Sequence, residues 1–417
     1  MQQPSLRGCA ILILVLELLV GYFSDNGVVG FVTPVAFGSA RTQSLASSLQ
    51  STIPEKNTLK NKFSKWRHQV ADSWTIRGAK EYSRFYNNTV SSPEEVSKRV
   101  GVKATAKVPK WIWVWSYKFW TRYFLPLCHR FDPLTCHIRN LDQGLCCLWW
   151  KALSGNDKRS IVHDHWITHD MLPPYTRIFV SPCLTHFYPR LLHVNVEMRT
   201  AYLDARLRDT IQTIREASPN TKIRLVSLGA GYDTRSLRFS SLVDQCVELD
   251  RDEVLAIKGP LIERFMTRRN KRQQLNHSII DVDKVPLLLP ADLNNFTHVE
   301  SLVSSILDGD FNEIDTNKLK QPSNTNYSNW HTIFLYEAVM IYLDKGIPSA
   351  LLAMCSNETS RRNISSTLIF ADRLENCPGG EEILGRQHLL SNGWNLVDWC
   401  SKPGFARHMG LAILAST

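Results

Sequence analysis

VSLGAGYDTRSLRF, Val226–Phe239, is the stretch on which the fold turns. An apolar run meets two closely spaced glycines and continues into a basic, helix-prone segment. Glycines in such a place permit a tight turn and close backbone approach to a ligand. The first turn of the following helix offers N–H groups that lack partners within the helix. A strand–turn–helix unit with a ligand at its turn is the expectation.

Working outward, Leu203, Leu207, Ile211 and Ile214 recur at helical spacing, so an amphipathic helix is predicted to end near Ser218-Pro219. Short apolar runs follow at Ile223–Leu228, Asp244–Leu249, Thr332–Leu343 and Thr367–Ala371. Near-continuous apolar runs separated by helical segments indicate strands covered on both faces, hence an α/β fold with a doubly wound, mostly parallel sheet. The Asn-rich, polar segment from Gly309 to Trp330 reads as a loop inserted between core elements.

Three acids stand near the ends of the later runs. Asp250 follows Gly231 by 19 residues, about the distance at which a carboxylate meets ribose hydroxyls in dinucleotide folds. Asp292 suits an adenine amino group, and Glu337 suits an ammonium. Carboxylates only accept hydrogen bonds, so this set favours hydroxyl and amine donors and repels phosphates. The dinucleotide fingerprint also needs a small third residue after its two glycines, and Thr234 stands there. S-adenosylmethionine carries no phosphate. Its ribose, adenine, α-carboxylate and α-ammonium are matched by Asp250, Asp292, Arg199 and Glu337 around the Gly229/Gly231 turn.

A chain of 417 residues can hold two or three domains or one decorated large one. The formal charge of +10 is compatible with nucleic acid, an anionic membrane or an acidic partner, and does not choose among them. Ten cysteines without CxxC or paired His/Cys spacing predict neither a zinc site nor a dense disulfide framework.

The amino-terminal part is a targeting question. Cys9–Phe23, CAILILVLELLVGYF, is shorter than the roughly 20 apolar residues of a spanning helix, and Glu17 interrupts it. Residues 1–30 therefore read as a signal peptide or signal anchor, with cleavage after Gly30 or after Ala40. Residues 31–60 read as a transit-like stretch or a disordered linker: no acid occurs from Asn26 to Pro54, and Ser and Thr are frequent. A signal followed by such a stretch resembles the bipartite presequences of algae with secondary plastids. The alternatives are secretion, membrane association and, if the apolar segment is not used, the cytoplasm. Six N-x-[ST] sequons, at Asn87, Asn276, Asn295, Asn326, Asn357 and Asn363, say little about the compartment. Residues 61–150 form an extension of unknown role. Within it Val96–Phe131 carries eight Lys or Arg and no acid around WIWVWSYKFWTRYF. That segment packs on the main domain or meets a membrane surface; no nucleic acid is expected.

The remaining residues, 151–417, read as one domain, which from about Asn156 to about Trp399 resembles the leucine carboxyl methyltransferase family. The resemblance runs through DKRSIV (Asp157–Val162), MRTAYLDA (Met198–Ala205), LGAGYDTRSLR (Leu228–Arg238), VELD (Val247–Asp250), ADL (Ala291–Leu293), YEAVMIYL (Tyr336–Leu343) and LLSNGW (Leu389–Trp394). It implies a class I S-adenosylmethionine-dependent methyltransferase fold, Rossmann-like, with a helical lid before the sheet. It also implies site residues. Arg199 matches the arginine for the methionine carboxylate, Gly229 and Gly231 the cofactor loop, and Asp250 the ribose acid. Asp292 and Leu293 match the adenine-side pair, Glu337 the acid near the methionine amino group, and Lys158 a lysine on the lid.

The implied reaction is in-line displacement at a sulfonium methyl. A carboxylate acceptor with a pKa of roughly 3.5 is already ionised at neutral pH, so no proton-transfer residue and no metal is nominated. Arg235 and Tyr232 are placed to orient an acceptor. Eukaryotic members methylate the C-terminal leucine of protein phosphatase 2A catalytic subunits, while bacterial and plant relatives include enzymes with small-molecule acceptors. The chain departs from the phosphatase-modifying members in FADRL (Phe370–Leu374), and in ending 23 residues after Trp394, where they continue through elements that close the sheet. A small-molecule O-methyltransferase, an NAD-dependent oxidoreductase and a non-catalytic binding protein are the alternatives.

Overall fold

The computed structural model describes residues 143–156, 166–172, 190–276, 284–309, 329–377, 381–401 and 408–415, with Arg130, Asp132, Cys136 and Arg177. The apolar segment at 9–23, the transit-like stretch, the aromatic run, Lys158 and residues 310–328 of the expected insertion lie outside them.

Seven strands form one sheet: β1 (Lys222–Leu228), β2 (Gln245–Asp250), β3 (Leu287–Pro290), β4 (Trp330–Glu337), β5 (Ser365–Asp372), β6 (Trp394–Ser401) and β7 (His408–Leu414). Their order is β3-β2-β1-β4-β5-β7-β6. The first five run parallel, and β7 is antiparallel to both of its neighbours. The order reverses between β1 and β4, the switch point outside which ligands of open α/β sheets bind.

The helices are α1 (Gln143–Asn156), α2 (Trp166–Met171), α3 (Arg190–Ala217), α4 (Arg235–Arg238), α5 (Asp252–Asn276), α6 (Phe296–Asp308), α7 (Ile347–Arg361) and α8 (Glu382–Ser391). Helix α3 ends one residue before Ser218-Pro219, where the loss of a donor at proline was expected to stop it. The strands are apolar throughout because both faces are covered. On one face Val226, Leu228, Phe334 and Tyr336 pack with Val299 and Val303 of α6 and Leu351 and Leu352 of α7. On the other, Ile223, Leu225, Ile333 and Leu335 meet Leu203, Leu207 and Ile211 of α3. A third cluster joins α1 and α2 to α5 through Trp149, Ile167, Met171, Leu261 and Phe265.

Three expectations are revised. The run Thr332–Leu343 is not one strand: β4 stops at Glu337, Ala338 turns with φ +57°, and a short 3-10 turn spans Met340–Tyr342. The tail after Trp394 is long enough to complete the sheet, since β6 and β7 form an antiparallel pair that docks on β5. The boundary at residue 151 falls inside α1, which begins at Gln143 and packs on α3.

Candidate cofactor-binding site

The loops that leave the carboxyl ends of β1, β2, β3 and β4 enclose a cleft of about 740 Å³, closed on one side by α1 and α3. The size suits a small-molecule ligand. Arg199, Gly229, Gly231, Asp250, Asp292, Leu293 and Glu337 all line it, so the structure brings together every nominated residue it describes.

The glycine turn shows why two glycines are needed for different reasons. Gly229 has φ +68°, and a Cβ there would lie 2.2 Å from Val339 Cγ2, so the turn after β4 occupies that space. Gly231 has φ +49° and nothing within 4 Å of a Cβ position, because it faces the open cleft. Its N–H donates to Asp250 Oδ2 at 2.6 Å, while the Arg251 N–H donates to Asp250 Oδ1 at 2.8 Å. Asp250 thus fixes the turn with its carboxylate and keeps unused lone pairs on both oxygens. Burial pushes its pKa up, and the two N–H bonds oppose that rise. Asp292 is exposed, and its Oδ1 accepts from the Asn294 N–H; Leu293 beside it is buried.

Under one wall of the cleft lies a buried network of charges. Glu337, at the end of β4, accepts from Arg199 Nε at 3.1 Å and from Arg235 Nη1, and lies 3.5 Å from Lys151 Nζ. Lys151 also donates to Asp233 at 2.8 Å. Arg235 bonds Asp233 at 2.8 Å and Asp204 at 2.7 Å, and Arg238 bonds Asp204 as well. Burial alone would raise the Glu337 carboxyl; the charges of Lys151, Arg235 and Arg199 overcome it and bring its pKa to about 2. Burial likewise opposes ionisation of Asp233, and Arg235 and Lys151 hold it well below the carboxylate range. Glu337 and Asp233 therefore stay ionised at neutral pH, and Arg235 beside them stays protonated. Arg199 spends Nε on Glu337, so its remaining donors are on the two Nη atoms.

Residues 149–356 match the family model described as leucine carboxyl methyltransferase. This stretch belongs to the leucine carboxyl methyltransferase family. The protein is an S-adenosylmethionine-dependent methyltransferase with a class I fold. No curated protein matches the chain. Among solved structures, it is similar to magnesium protoporphyrin IX methyltransferase from Synechocystis PCC 6803 with bound S-adenosylmethionine. That likeness has 12% identity and a TM-score of 0.32 over 66% of this chain and 99% of that one. It is also similar to a glycopeptide N-methyltransferase, with 10% identity and a TM-score of 0.27 over 50% of this chain and 93% of that one. Scores this low carry no weight in the assignment, which rests on the family match.

The methyltransferase uses Arg235 differently from the expectation. Its side chain is fully buried and bridges three carboxylates from α3, the glycine turn and β4, so it does not face an acceptor. Tyr232 does line the cleft. Lys151, Asp204 and Asp233 were not nominated, although all three belong to the network. Asp233 sits within the quoted turn, and an acid two residues from both Gly231 and Arg235 was a readable signal. Lys151 gave none, because its partners lie 82 and more residues away.

Proposed function

We propose that this enzyme transfers a methyl group to a carboxylate, with a protein C-terminal leucine, as in protein phosphatase 2A catalytic subunits, as the specific acceptor. The observation that carries the reading is the leucine carboxyl methyltransferase match over residues 149–356, which spans the cleft-forming strands β1 to β4.

The residues present fit S-adenosylmethionine. The cleft offers carboxylates for hydroxyl, amine and ammonium donors, one guanidinium with Nη donors for a carboxylate, and a glycine backbone that admits close approach. In this reading Arg199 binds the methionine carboxylate and Glu337 the ammonium. Asp250 takes the ribose hydroxyls while it holds Gly231, and Asp292 and Leu293 border the adenine. Lys158, outside the described residues, is assigned to the lid by resemblance alone. The cofactor, when bound, supplies an electrophilic methyl on sulfonium.

This chain's residues then have three tasks: to orient, to exclude water and to hold fixed charges. Residues that line the cleft would hold the acceptor carboxylate beside the cofactor's methyl group, and that pre-organisation would lower the barrier. A carboxylate nucleophile is ionised at neutral pH, so no protein group needs to take a proton. The buried network beneath the cleft keeps its charges fixed before reaction, which avoids reorganisation during it.

The test is transfer of labelled methyl to a peptide ending in a free leucine and to its C-terminal amide. Label on the free acid alone supports the reading. Label on both peptides, or on neither, removes it. Label on small carboxylic acids or phenols but on neither peptide supports a small-molecule O-methyltransferase instead.

A further inference from the structure

Asp372, the last residue of β5, is fully buried and does not line the cleft. Its Oδ2 accepts from the Val339 N–H at 2.6 Å and the Met340 N–H at 2.8 Å, and its Oδ1 accepts from the Arg373 N–H at 2.8 Å. The first two donors belong to the turn that follows Glu337. That turn is strained, since Ala338 has φ +57°, a conformation costing an L-residue roughly 1–2 kcal/mol. Such a backbone persists only where its surroundings over-determine it. The Ala338 N–H is held by Ala371 O at 3.1 Å, and the next two N–H groups are held by Asp372. The turn in this position puts Val339 into the space a side chain at Gly229 would need.

We infer that Asp372 is a positioning residue for cofactor binding: its carboxylate sets the Glu337–Met340 turn, and through Val339 and Gly229 it fixes the floor of the cleft. The inference rests on the cofactor assignment. The charge of Arg199 from α3 and the phenol of Tyr336 from β4 interact with the Asp372 carboxylate, Arg373 gives it only a backbone N–H, and His408 is its register partner on β7. Burial raises the Asp372 pKa to about 6, against the three N–H bonds and the charge of Arg199. Protonation below that value puts a donor against donors and loosens the pin. Burial moves His408 the other way, below the usual histidine range, so it changes charge at lower pH.

The experiment is calorimetric titration of the full chain with S-adenosylmethionine, for the wild type, Asp372→Asn and Val339→Ala. The near-isosteric Asn has one acceptor oxygen, so at least one of the three bonds is lost, and binding at pH 7.5 falls by about tenfold or more. Between pH 7 and pH 5 the wild type loses affinity more steeply than Asp372→Asn, which keeps only the dependence that other cleft carboxylates such as Asp250 contribute. Val339→Ala, which keeps the carboxylate and empties the space beside Gly229, also binds more weakly with thermal unfolding close to wild type. Wild-type affinity in Asp372→Asn at pH 7.5, a pH dependence parallel to wild type, or wild-type affinity in Val339→Ala overturns the inference. Absence of binding by the wild type overturns the cofactor assignment and this inference with it. If Asp372→Asn does not fold, Val339→Ala decides alone.

Discussion

Arg199 Nε donates to Glu337 Oε1 across 3.1 Å, tying the helix before the sheet to the end of its central strand. Glu337 is the common partner of three cations; its loss takes the paired carboxylate from Arg199 and leaves Lys151 and Arg235 to Asp233 and Asp204. Glu337→Gln is expected to lower stability by roughly 3–5 kcal/mol, the usual cost of removing one partner from a buried ionic contact. Denaturant unfolding measures it.

The same carboxylate predicts a pH dependence. Its folded pKa of about 2 lies below the ordinary value of 4.5, so the stability it contributes is present above 4.5 and is lost as pH falls toward 2. Wild-type unfolding free energy should therefore fall across that window more steeply than that of Glu337→Gln. Equal slopes would show that the network does not stabilise the fold through this charge.

Gly229 and Gly231 should respond differently to alanine. Gly229→Ala meets Val339 and a left-handed backbone, so both the folding free energy and cofactor affinity should drop; conformation alone costs roughly 1–2 kcal/mol. Gly231→Ala has open space, so its stability loss should stay near the conformational cost while its methyl intrudes on the cleft and weakens S-adenosylmethionine binding. Thermal unfolding and calorimetry on the two variants separate the cases.

Asp250→Ala should weaken S-adenosylmethionine binding by about 1–3 kcal/mol, because it frees the Gly231 N–H and leaves ribose hydroxyls unpaired. Unchanged affinity would remove Asp250 from the site.

Beneath β2 a second buried pair, Lys258 Nζ and Glu248 Oε2 at 2.6 Å, lies away from the lining of the cleft. Lys258→Met alone should cost roughly 3–5 kcal/mol, whereas Lys258→Met with Glu248→Leu should recover most of that. Calorimetric unfolding of the single and double variants tests the cycle.

The strands that carry the site were legible because burial on both faces writes itself as a continuous apolar run: Ile223–Leu228 and Thr367–Ala371 lie within β1 and β5. The end of β4 was not, because Val339 to Leu343 is as apolar as the strand before it. What stops the strand is Asp372, 33 residues later, whose carboxylate takes the N–H groups that would otherwise continue a ladder. β3 escaped notice because LLLP is only four residues. Asp250 and Glu337 were legible from their positions at strand ends, whereas Leu293 and Lys158 came from the family resemblance alone. The buried role of Arg235 could not be read, since two of its partners lie 31 and 102 residues away and an arginine in a first helical turn looks solvated in isolation.

The antiparallel course of β7 decides where the chain leaves the sheet. His408 pairs with Asp372 at the cleft end and Ile413 with Thr367 at the opposite end, so the polypeptide passes Leu414 on the side away from the ligand. A fluorescent protein or affinity handle joined after residue 415 therefore emerges on the far side of the sheet and leaves the mouth of the cleft clear. Trimming the chain back to residue 407 would strip β6 of its only strand neighbour among the described residues and expose the hydrogen-bonding edge of β5.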